Sequence, residues 1–334
     1  MLGIIAHPMT SVGTPGTRPI LVTGSPRSGT TFAGRMLALP SDVHYIHEPF
    51  NPRVGPNVTE ARFPSWFAYV TDASATDVLA PLAHTLALHY DFGYALSRAR
   101  RPADALEAFR HWRAFKGARQ RGARPLVKDP IALFSSAWLA QTFDADVLVM
   151  IRHPAAMASS FKRLGWTIDA RRFTEFLSQA ELMDVYLAEY ADEVRTFAHD
   201  TRPIVESAAL LWKLCYHMVA QFRVRFPEWT YLRYEDLAAE PVAGLCDVYQ
   251  RFGLAFSGAV RDRIVEYTAT ADRTLRNHAL SAVNSIGLSG GVVPLDSRAS
   301  IAKWGAALSA TEIDTVRSIV RPVADQFYSA ADWH

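Results

Sequence analysis

The sequence predicts an α/β fold, a parallel sheet with helices on both faces, and three features of the chain support this. Residues 19–24 (PILVTG) are typical of a buried strand that leads into a turn, and residues 29–39 then show helical spacing of apolar side chains. Residues 145–151 form the most apolar strand candidate, and Pro154 follows where the first turn of a helix tolerates proline. Strands that alternate with helices favour a parallel sheet.

The rest of the chain continues this alternation. Further strands are predicted at residues 44–46, 125–128 and 229–233. Further helices are predicted at residues 132–143, 154–164, 173–199, 204–226, 241–252, 257–270 and 311–327.

The length of 334 residues fits one α/β domain with insertions. We expect residues 1–17, rich in Gly, Pro, Thr and Ser, to be a flexible leader, and residues 18–334 to form a single domain. Residues 65–117 are mostly helical in pattern but are interrupted by Pro81, Gly93 and Pro102. We therefore expect them to be an insertion that covers one side of the sheet.

Composition argues against several classes of protein. The formal net charge of +2 does not indicate binding to nucleic acid, and no apolar run is long enough to predict a transmembrane segment. Cys215 and Cys246 are too few for a disulfide framework or a zinc site, so we expect no metal. Free thiols and the absence of a signal-peptide pattern favour a cytoplasmic enzyme, and the Ala- and Arg-rich usage favours a bacterial source. Nothing in the sequence indicates the oligomeric state.

The basic residues concentrate between Arg98 and Lys128, with Asp104 and Glu107 as the acidic residues of that stretch. Such a run indicates either a solvent-exposed helix face or a surface for an anionic ligand. The second interpretation would favour an acidic substrate, such as an acidic acceptor in a group-transfer reaction.

The first chemical signal is the segment Gly24-Ser-Pro-Arg-Ser-Gly-Thr-Thr31, between the first predicted strand and helix. Glycines let a loop close around an anion, and a helix N-terminus supplies amides and a positive dipole. The spacing nearly matches the nucleotide-binding P-loop, but Thr30 occupies the position of the usual lysine and the positive charge is on Arg27. This suits a ligand with one 5′-phosphate and one transferable group, held without a metal. A simple strand-to-helix turn is the alternative.

The second signal follows the strand at residues 147–151. Arg152 comes directly after it, and Ser160 lies eight residues further on. Together they would bring a guanidinium and a hydroxyl to one anion, and arginine is well suited to bidentate phosphate contacts. The alternative is that Arg152 and Ser160 are an ordinary surface pair. Two phosphate signals, each at the end of a predicted strand, make that alternative less favoured.

The third signal is His44-Tyr-Ile-His47-Glu48-Pro. Transfer of a group to a hydroxyl needs a base near the attacking oxygen, and a carboxylate at a strand end beside the phosphate loop is placed for that role. Glu48, His47 and His44 are the candidate bases of this segment, with a structural ion pair as the alternative for Glu48, and the family resemblance given below favours Glu48 over the two histidines.

These motifs resemble those of the sulfotransferases that use 3′-phosphoadenosine 5′-phosphosulfate (PAPS) as donor. The arginine in the loop is similar to the carbohydrate and tyrosylprotein branches and their bacterial relatives. The resemblance covers residues 19–52, 126–164, 229–241 and roughly 285–305. It implies a P-loop fold, PAPS as co-substrate, 3′,5′-ADP as product and no metal.

The resemblance also implies roles for individual residues. The 5′-phosphosulfate would be bound by Arg27, Ser28, Gly29, Thr30 and Thr31, and the 3′-phosphate by Arg152 and Ser160. Glu48 would be the base, and Lys128, in Lys-Asp-Pro, would stabilise the transition state. Three further residues are candidate donor contacts: Tyr234, Ser289 and Lys303.

The acceptor remains open at this point. Glu-Pro favours a carbohydrate or glycolipid hydroxyl, whereas Lys-Asp-Pro favours a phenol, and both are small-molecule or glycan acceptors. Two other functions compete: a small-molecule kinase with an unusual P-loop, and a nucleotide-binding protein without catalysis. The missing P-loop lysine disfavours the kinase, and Arg27, Glu48 and Lys128 together disfavour the inactive protein.

Overall fold

A computed structural model describes residues 18–269 and 303–333 and contains a parallel sheet of five strands. The strands are β1 (Ile20–Gly24), β2 (Val43–His47), β3 (Arg124–Lys128), β4 (Asp146–Ile151) and β5 (Thr230–Arg233). They are ordered β2–β3–β1–β4–β5, and every neighbouring pair is parallel. The predicted fold class, a parallel sheet flanked by helices, is confirmed.

Helices connect the strands and cover both faces of the sheet. The first seven are α1 (Thr30–Leu37), α2 (Thr76–Leu86), α3 (Phe92–Arg98), α4 (Pro102–Gln120), α5 (Ser136–Phe143), α6 (Pro154–Arg163) and α7 (Ala170–Leu177). The next six are α8 (Ala180–Leu182), α9 (Ala191–His199), α10 (Ile204–Arg225), α11 (Tyr234–Ala239), α12 (Pro241–Arg251) and α13 (Gly258–Ala269). Two more follow residue 302: α14 (Lys303–Ala307) and α15 (Ala310–Ala324).

The core lies on both faces of the sheet, because successive side chains of a strand point to opposite sides. In β1, Leu21 packs into one apolar cluster with α6, α10 and α15, while Ile20 and Val22 pack into a second cluster with α1 and α12. The helix α10, predicted at residues 204–226, is buried around most of its circumference, so its apolar residues are core residues.

The helix predicted at residues 173–199 is wrong, because the chain breaks it into several pieces. After α7, Gln179 leaves the helical region (φ −101°, ψ 76°), and its side-chain carbonyl accepts the Tyr69 amide at 2.7 Å. A π-helical turn at Met183–Leu187 and a 3₁₀ turn at Ala188–Tyr190 then precede α9. The helix predicted at residues 132–143 likewise begins with a 3₁₀ turn, at Ile131–Ser135.

The stretch 65–117 contains α2, α3 and most of α4, and it packs against the edge of the sheet at β2. Phe115 of α4 meets the His44 ring edge-on, with the centroids 4.6 Å apart. Val78 and Leu82 of α2 belong to the apolar cluster of Leu21. The predicted leader, residues 1–17, lies outside the described residues. Within the described ranges, every helix is too short or too polar to span a bilayer.

Candidate active site

All five strands end at one edge of the sheet, and a cavity of about 630 Å³ opens there. Ligands of open parallel sheets bind at this edge, outside the carboxyl ends of the strands. Residues that follow four different strands line the cavity: Arg27, Glu48, Arg152 and Tyr234. The fold therefore brings together three motifs that are up to 125 residues apart in sequence.

The loop between β1 and α1 is shaped by two glycines with positive φ. A Cβ at Gly24 (φ 144°) would lie 2.3 Å from the Met150 carbonyl oxygen, and one at Gly29 (φ 93°) would lie 2.4 Å from the Tyr234 ring. No described side chain caps α1, so amides at its start are available to an anion. The buried Ser28 hydroxyl has no hydrogen-bond partner among the described residues. Thr30 and Thr31, at the start of α1, line the cavity.

Two guanidinium groups lie side by side at this loop. Arg27 has a left-handed backbone (φ 67°), and its Nε donates to Ser160 Oγ at 3.0 Å. Arg152 Nη1 donates to the Arg27 carbonyl at 2.9 Å, and its guanidinium carbon lies 4.2 Å from the centroid of the Tyr234 ring. Burial lowers the pKa of Arg27, as do the charges of Arg152 and Arg163. Within the described residues neither Arg27 nor Arg152 forms an ion pair, so the arrangement favours a phosphate-like anion.

Two aromatic residues of α10 hold these loops in position. The Tyr216 hydroxyl accepts a hydrogen bond from the Arg152 amide at 2.9 Å and lies 3.0 Å from Ser25 Oγ. It therefore links the loop between β1 and α1 to the turn after β4. Trp212 Nε1 donates to the Arg152 carbonyl at 2.7 Å. The sequence analysis identified neither Trp212 nor Tyr216 as a residue of the site. Their burial was predictable from helical spacing, but the use of their polar atoms was not.

Glu48 and Lys128 face each other at the ends of β2 and β3. Lys128 Nζ contacts Glu48 Oε1, and Asn51 Nδ2 donates to Glu48 Oε2 at 2.6 Å. Burial raises the pKa of Glu48, but the charges of Lys128 and His47 and these hydrogen bonds hold it below its ordinary value. Burial lowers the pKa of Lys128, whose stem packs against Gly34. Glu48 is therefore an ionised carboxylate on the cavity wall, with Lys128 buried behind it.

Asp129 fixes the turn that carries Glu48. Its Oδ2 accepts the Phe50 amide at 2.7 Å, and its Oδ1 accepts the Ile131 amide at 2.8 Å. Glu48 itself has a left-handed φ of 48°, a conformation that needs support from its surroundings. Burial, followed by the charge of Glu48, raises the pKa of Asp129 to about 7.

The two histidines that rival Glu48 lie away from the cavity wall. Burial, followed by His111, lowers the pKa of His44 to about 4, and its ring packs on Phe115. Burial, followed by Lys128, lowers the pKa of His47 to about 4, and its Nδ1 lies 3.3 Å from the Tyr45 hydroxyl. Of the three candidate bases, only Glu48 lines the cavity.

The predicted residues near the C-terminus are only partly described. Ser289 lies outside the described residues. Lys303 begins α14, and the next residue, Trp304, stacks on the His153 ring with the centroids 4.9 Å apart. Because His153 directly follows Arg152, the start of α14 packs beside the turn after β4 that carries Arg152.

The cavity is also lined by residues that sequence reasoning missed. Four of them are apolar: Phe67, Phe161, Ile168 and Leu211. A further set is polar or aromatic: Asn51, Arg53, Trp66, Trp166 and Arg172. Asn51, three residues after Glu48, was the one with a sequence signal, since Asn commonly bonds within such a turn. None of the arginines between Arg98 and Arg124 lines this cavity.

A sequence model described as the sulfotransferase family matches residues 19–258, which include the loop, Glu48, Lys128 and Arg152. This chain belongs to the sulfotransferase family. Membership supports sulfotransferase activity in general. A search of curated proteins gave no match. Among the described residues of this family member, no group of three or more His, Cys, Asp or Glu side chains is arranged to hold a metal ion.

A solved sulfotransferase domain shares its fold, and two further sulfotransferase structures are similar to it at lower TM-scores. The sulfotransferase domain of the curacin biosynthetic pathway is 16% identical, with a TM-score of 0.50 over 92% of this chain and 96% of that one. The sulfotransferase domain of the olefin synthase of Synechococcus PCC 7002 is also 16% identical, with a TM-score of 0.44 over 94% of this chain and 96% of that one. A Mycobacterium tuberculosis H37Rv sulfotransferase is 20% identical, with a TM-score of 0.38 over 82% of this chain and 77% of that one.

Proposed function

We propose that this chain transfers a sulfuryl group from PAPS to a hydroxyl of a small-molecule or glycan acceptor. The observation that carries the proposal is the meeting, in one cavity, of an anion-binding loop with two guanidinium groups and an ionised carboxylate backed by a lysine. The first feature suits a doubly phosphorylated donor, and the second suits proton removal from an attacking hydroxyl.

The donor side fits PAPS as a co-substrate. Ser28, with its unpartnered hydroxyl, and the uncapped start of α1 would bind the 5′-phosphosulfate together with Arg27. Arg152 and Ser160 would bind the 3′-phosphate, and stacking of Arg152 on Tyr234 would keep the guanidinium in place. Lys303 and Ser289 remain candidate donor contacts.

On the acceptor side, Glu48 would take the proton of the acceptor hydroxyl. In the transfer, the acceptor oxygen forms a bond to sulfur while the bond from sulfur to the bridging phosphate oxygen breaks, and 3′,5′-ADP leaves. Glu48 Oε2 or Oε1 takes the acceptor proton, and Arg27 with Lys128 stabilises the negative charge that develops on the leaving phosphate. Lys128 must turn from Glu48 toward the leaving oxygen to do so. That movement would also remove the ion pair that lowers the pKa of Glu48, which makes the carboxylate a stronger base.

The experiment uses radiolabelled PAPS with a panel of phenols, aliphatic alcohols and sugars, and measures labelled product and 3′,5′-ADP. Glu48→Gln should bind 3′,5′-ADP normally but lose about 10²- to 10⁴-fold in kcat, the range expected for removal of a general base. His47→Gln is the matched variant, because it removes the neighbouring rival and should keep most turnover. Unchanged turnover in Glu48→Gln would exclude Glu48 as the base, and magnesium-dependent use of ATP would favour a kinase instead.

A further inference from the structure

A second pair of guanidinium groups lines the cavity, apart from Arg27 and Arg152. The guanidinium carbons of Arg172 and Arg53 lie 4.6 Å and 5.7 Å from the centroid of the Trp66 ring. All three side chains belong to the cavity wall. One indole therefore holds two cations near each other, an arrangement that cation–π attraction stabilises.

This pair carries a positive charge that the described part of the chain does not neutralise. Arg172 donates to Glu175 Oε2 at 2.9 Å, and the same oxygen accepts the Trp66 amide at 3.2 Å. Glu175 pairs with Arg172 and, through its other oxygen at 3.7 Å, with Arg171, and it does not line the cavity. No described carboxylate lies within ion-pair distance of Arg53. Arg53 is exposed and lines the cavity, so its guanidinium is accessible to an anionic ligand there.

The position of Arg53 assigns this charge to the acceptor rather than the donor. Asn51 Oδ1 accepts the Arg53 amide at 3.0 Å, while Asn51 Nδ2 donates to Glu48. The Asn51 side chain therefore links Arg53 to Glu48, the proposed base. The acceptor hydroxyl must lie next to that base, so Arg53 lies on the acceptor side. Arg27 and Arg152 already provide the phosphate loops with their own cations.

We propose that Arg53 and Arg172 bind an anionic group of the acceptor, a carboxylate, sulfate or phosphate, and so determine acceptor specificity. Phe67, Phe161 and Ile168 also line the cavity and favour an acceptor with an apolar or ring-shaped body. The inferred acceptor class is thus a hydroxylated acid with an apolar body. This inference rests on the proposed function of the same site.

The experiment compares matched acceptor pairs that differ only in charge. The pairs are hydroxyphenylpropionate with its primary amide, a hydroxy fatty acid with its amide, and octyl glucuronide with octyl glucoside. Transfer from radiolabelled PAPS gives kcat/KM for each. Calorimetry then measures binding of each compound to the protein saturated with 3′,5′-ADP, which needs no turnover.

The variants are Arg53→Met and Arg172→Met, with Arg171→Met as the control on the same helix, because Arg171 is exposed and does not line the cavity. In the unmodified protein the acid of at least one pair should be preferred about 10-fold or more, as expected for a charge-assisted hydrogen bond. Each of the first two variants should remove that preference. The kcat/KM for the neutral compound of each pair and the affinity for 3′,5′-ADP should stay unchanged. Arg171→Met should retain it. The Arg53 variant is decisive if Arg172→Met folds poorly.

Failure of this inference is distinguishable from failure of the proposed function. Equal kcat/KM and equal binding for acids and neutral partners, or a preference that survives both variants, would overturn the acceptor subsite while sulfuryl transfer stands. Absence of transfer and of 3′,5′-ADP binding would overturn the proposed function. In that case, calorimetry on the protein alone still tests whether the acids bind through Arg53.

Discussion

The two sides of the cavity are built differently. The proposed donor side consists of turns that directly follow β1, β4 and β5, and Tyr216 and Trp212 of the buried helix α10 hydrogen-bond to the Ser25 hydroxyl and to the backbone of Arg152. The acceptor side consists of residues 51–67 and 164–172, where Trp66 and Arg172 come from segments about one hundred residues apart. Glu48 and Lys128 lie at the boundary.

This difference teaches which part of a site is fixed by the fold. A turn at a strand end inherits its position from the sheet, so a donor common to many enzymes can be bound there. Irregular segments depend on packing with distant residues and can vary without disturbing the sheet. Substitutions on the donor side should therefore abolish activity toward every acceptor, whereas those on the acceptor side should change the choice of acceptor.

After Glu48→Gln, the largest effect is expected at the same boundary, in Lys128→Met. The loss of positive charge near the leaving oxygen should lower kcat by about 10²- to 10³-fold for all acceptors. The variant also removes the ion pair that lowers the pKa of Glu48, so that pKa should rise. Because the base acts when ionised, the acid limb of the pH profile of kcat/KM should move to higher pH. An unmoved acid limb would contradict the pairing of Lys128 with the base.

A smaller effect is expected on the donor side, in Gly29→Ala. The new Cβ would lie 2.4 Å from the Tyr234 ring, on which Arg152 stacks, and φ of 93° is unfavourable for alanine. Affinity for 3′,5′-ADP should fall about 10-fold or more, as expected when a charge-assisted phosphate contact is displaced.

Gly122→Ala is the matched control for this prediction. Gly122 also has positive φ (64°), but a Cβ there meets nothing within 4 Å. It should lower the free energy of unfolding by about 1 kcal/mol through backbone strain and leave nucleotide affinity unchanged. Equal nucleotide affinity in both variants would show that Tyr234 does not support the donor site.

The smallest effect is expected in Asp129→Asn, which weakens the turn that carries Glu48. Asparagine retains one carbonyl acceptor, so one of the two amide hydrogen bonds is lost, and kcat should fall about 10-fold with 3′,5′-ADP affinity unchanged. Full retention of kcat in this variant would contradict a positioning role for Asp129.

The same variant has a signature in stability. The pKa of Asp129 in the folded protein, about 7, lies above the ordinary value of 3.8. Its contribution to folding is therefore largest below the ordinary value and is lost as pH rises toward 7. Relative to the wild type, Asp129→Asn should lose less free energy of unfolding between about pH 4 and about pH 7, measured by urea denaturation.

The meeting of the β1–α1 loop and the turn after β4 at one sheet edge was predictable from the sequence because its signals are local. Gly24 and Gly29 frame a short loop, and Arg152 directly follows an apolar strand, so chain order alone places them at one sheet edge. The contacts of Tyr216 with Ser25 and Arg152 could not be predicted, since helical spacing gives burial but not hydrogen-bond partners.

The acceptor side had no comparable signal. Trp66 and Arg53 lie in irregular chain, and their proximity to Arg172 depends on how α7 packs. The break after α7 was also missed, because Gln179 bonds to the distant Tyr69 amide rather than to its own helix. The density of arginines between Arg98 and Lys128 drew attention to a stretch that does not line the cavity, while two isolated arginines do.

The most direct test of the account is calorimetric titration of the pure protein with 3′,5′-ADP, with 5′-AMP and ATP as comparisons. We predict binding that depends on the 3′-phosphate and weakens about 10- to 100-fold in Arg152→Ala but not in Arg171→Met. Affinity for 5′-AMP equal to that for 3′,5′-ADP, or an Arg152→Ala variant that binds normally, would contradict the assignment of this edge of the sheet to PAPS.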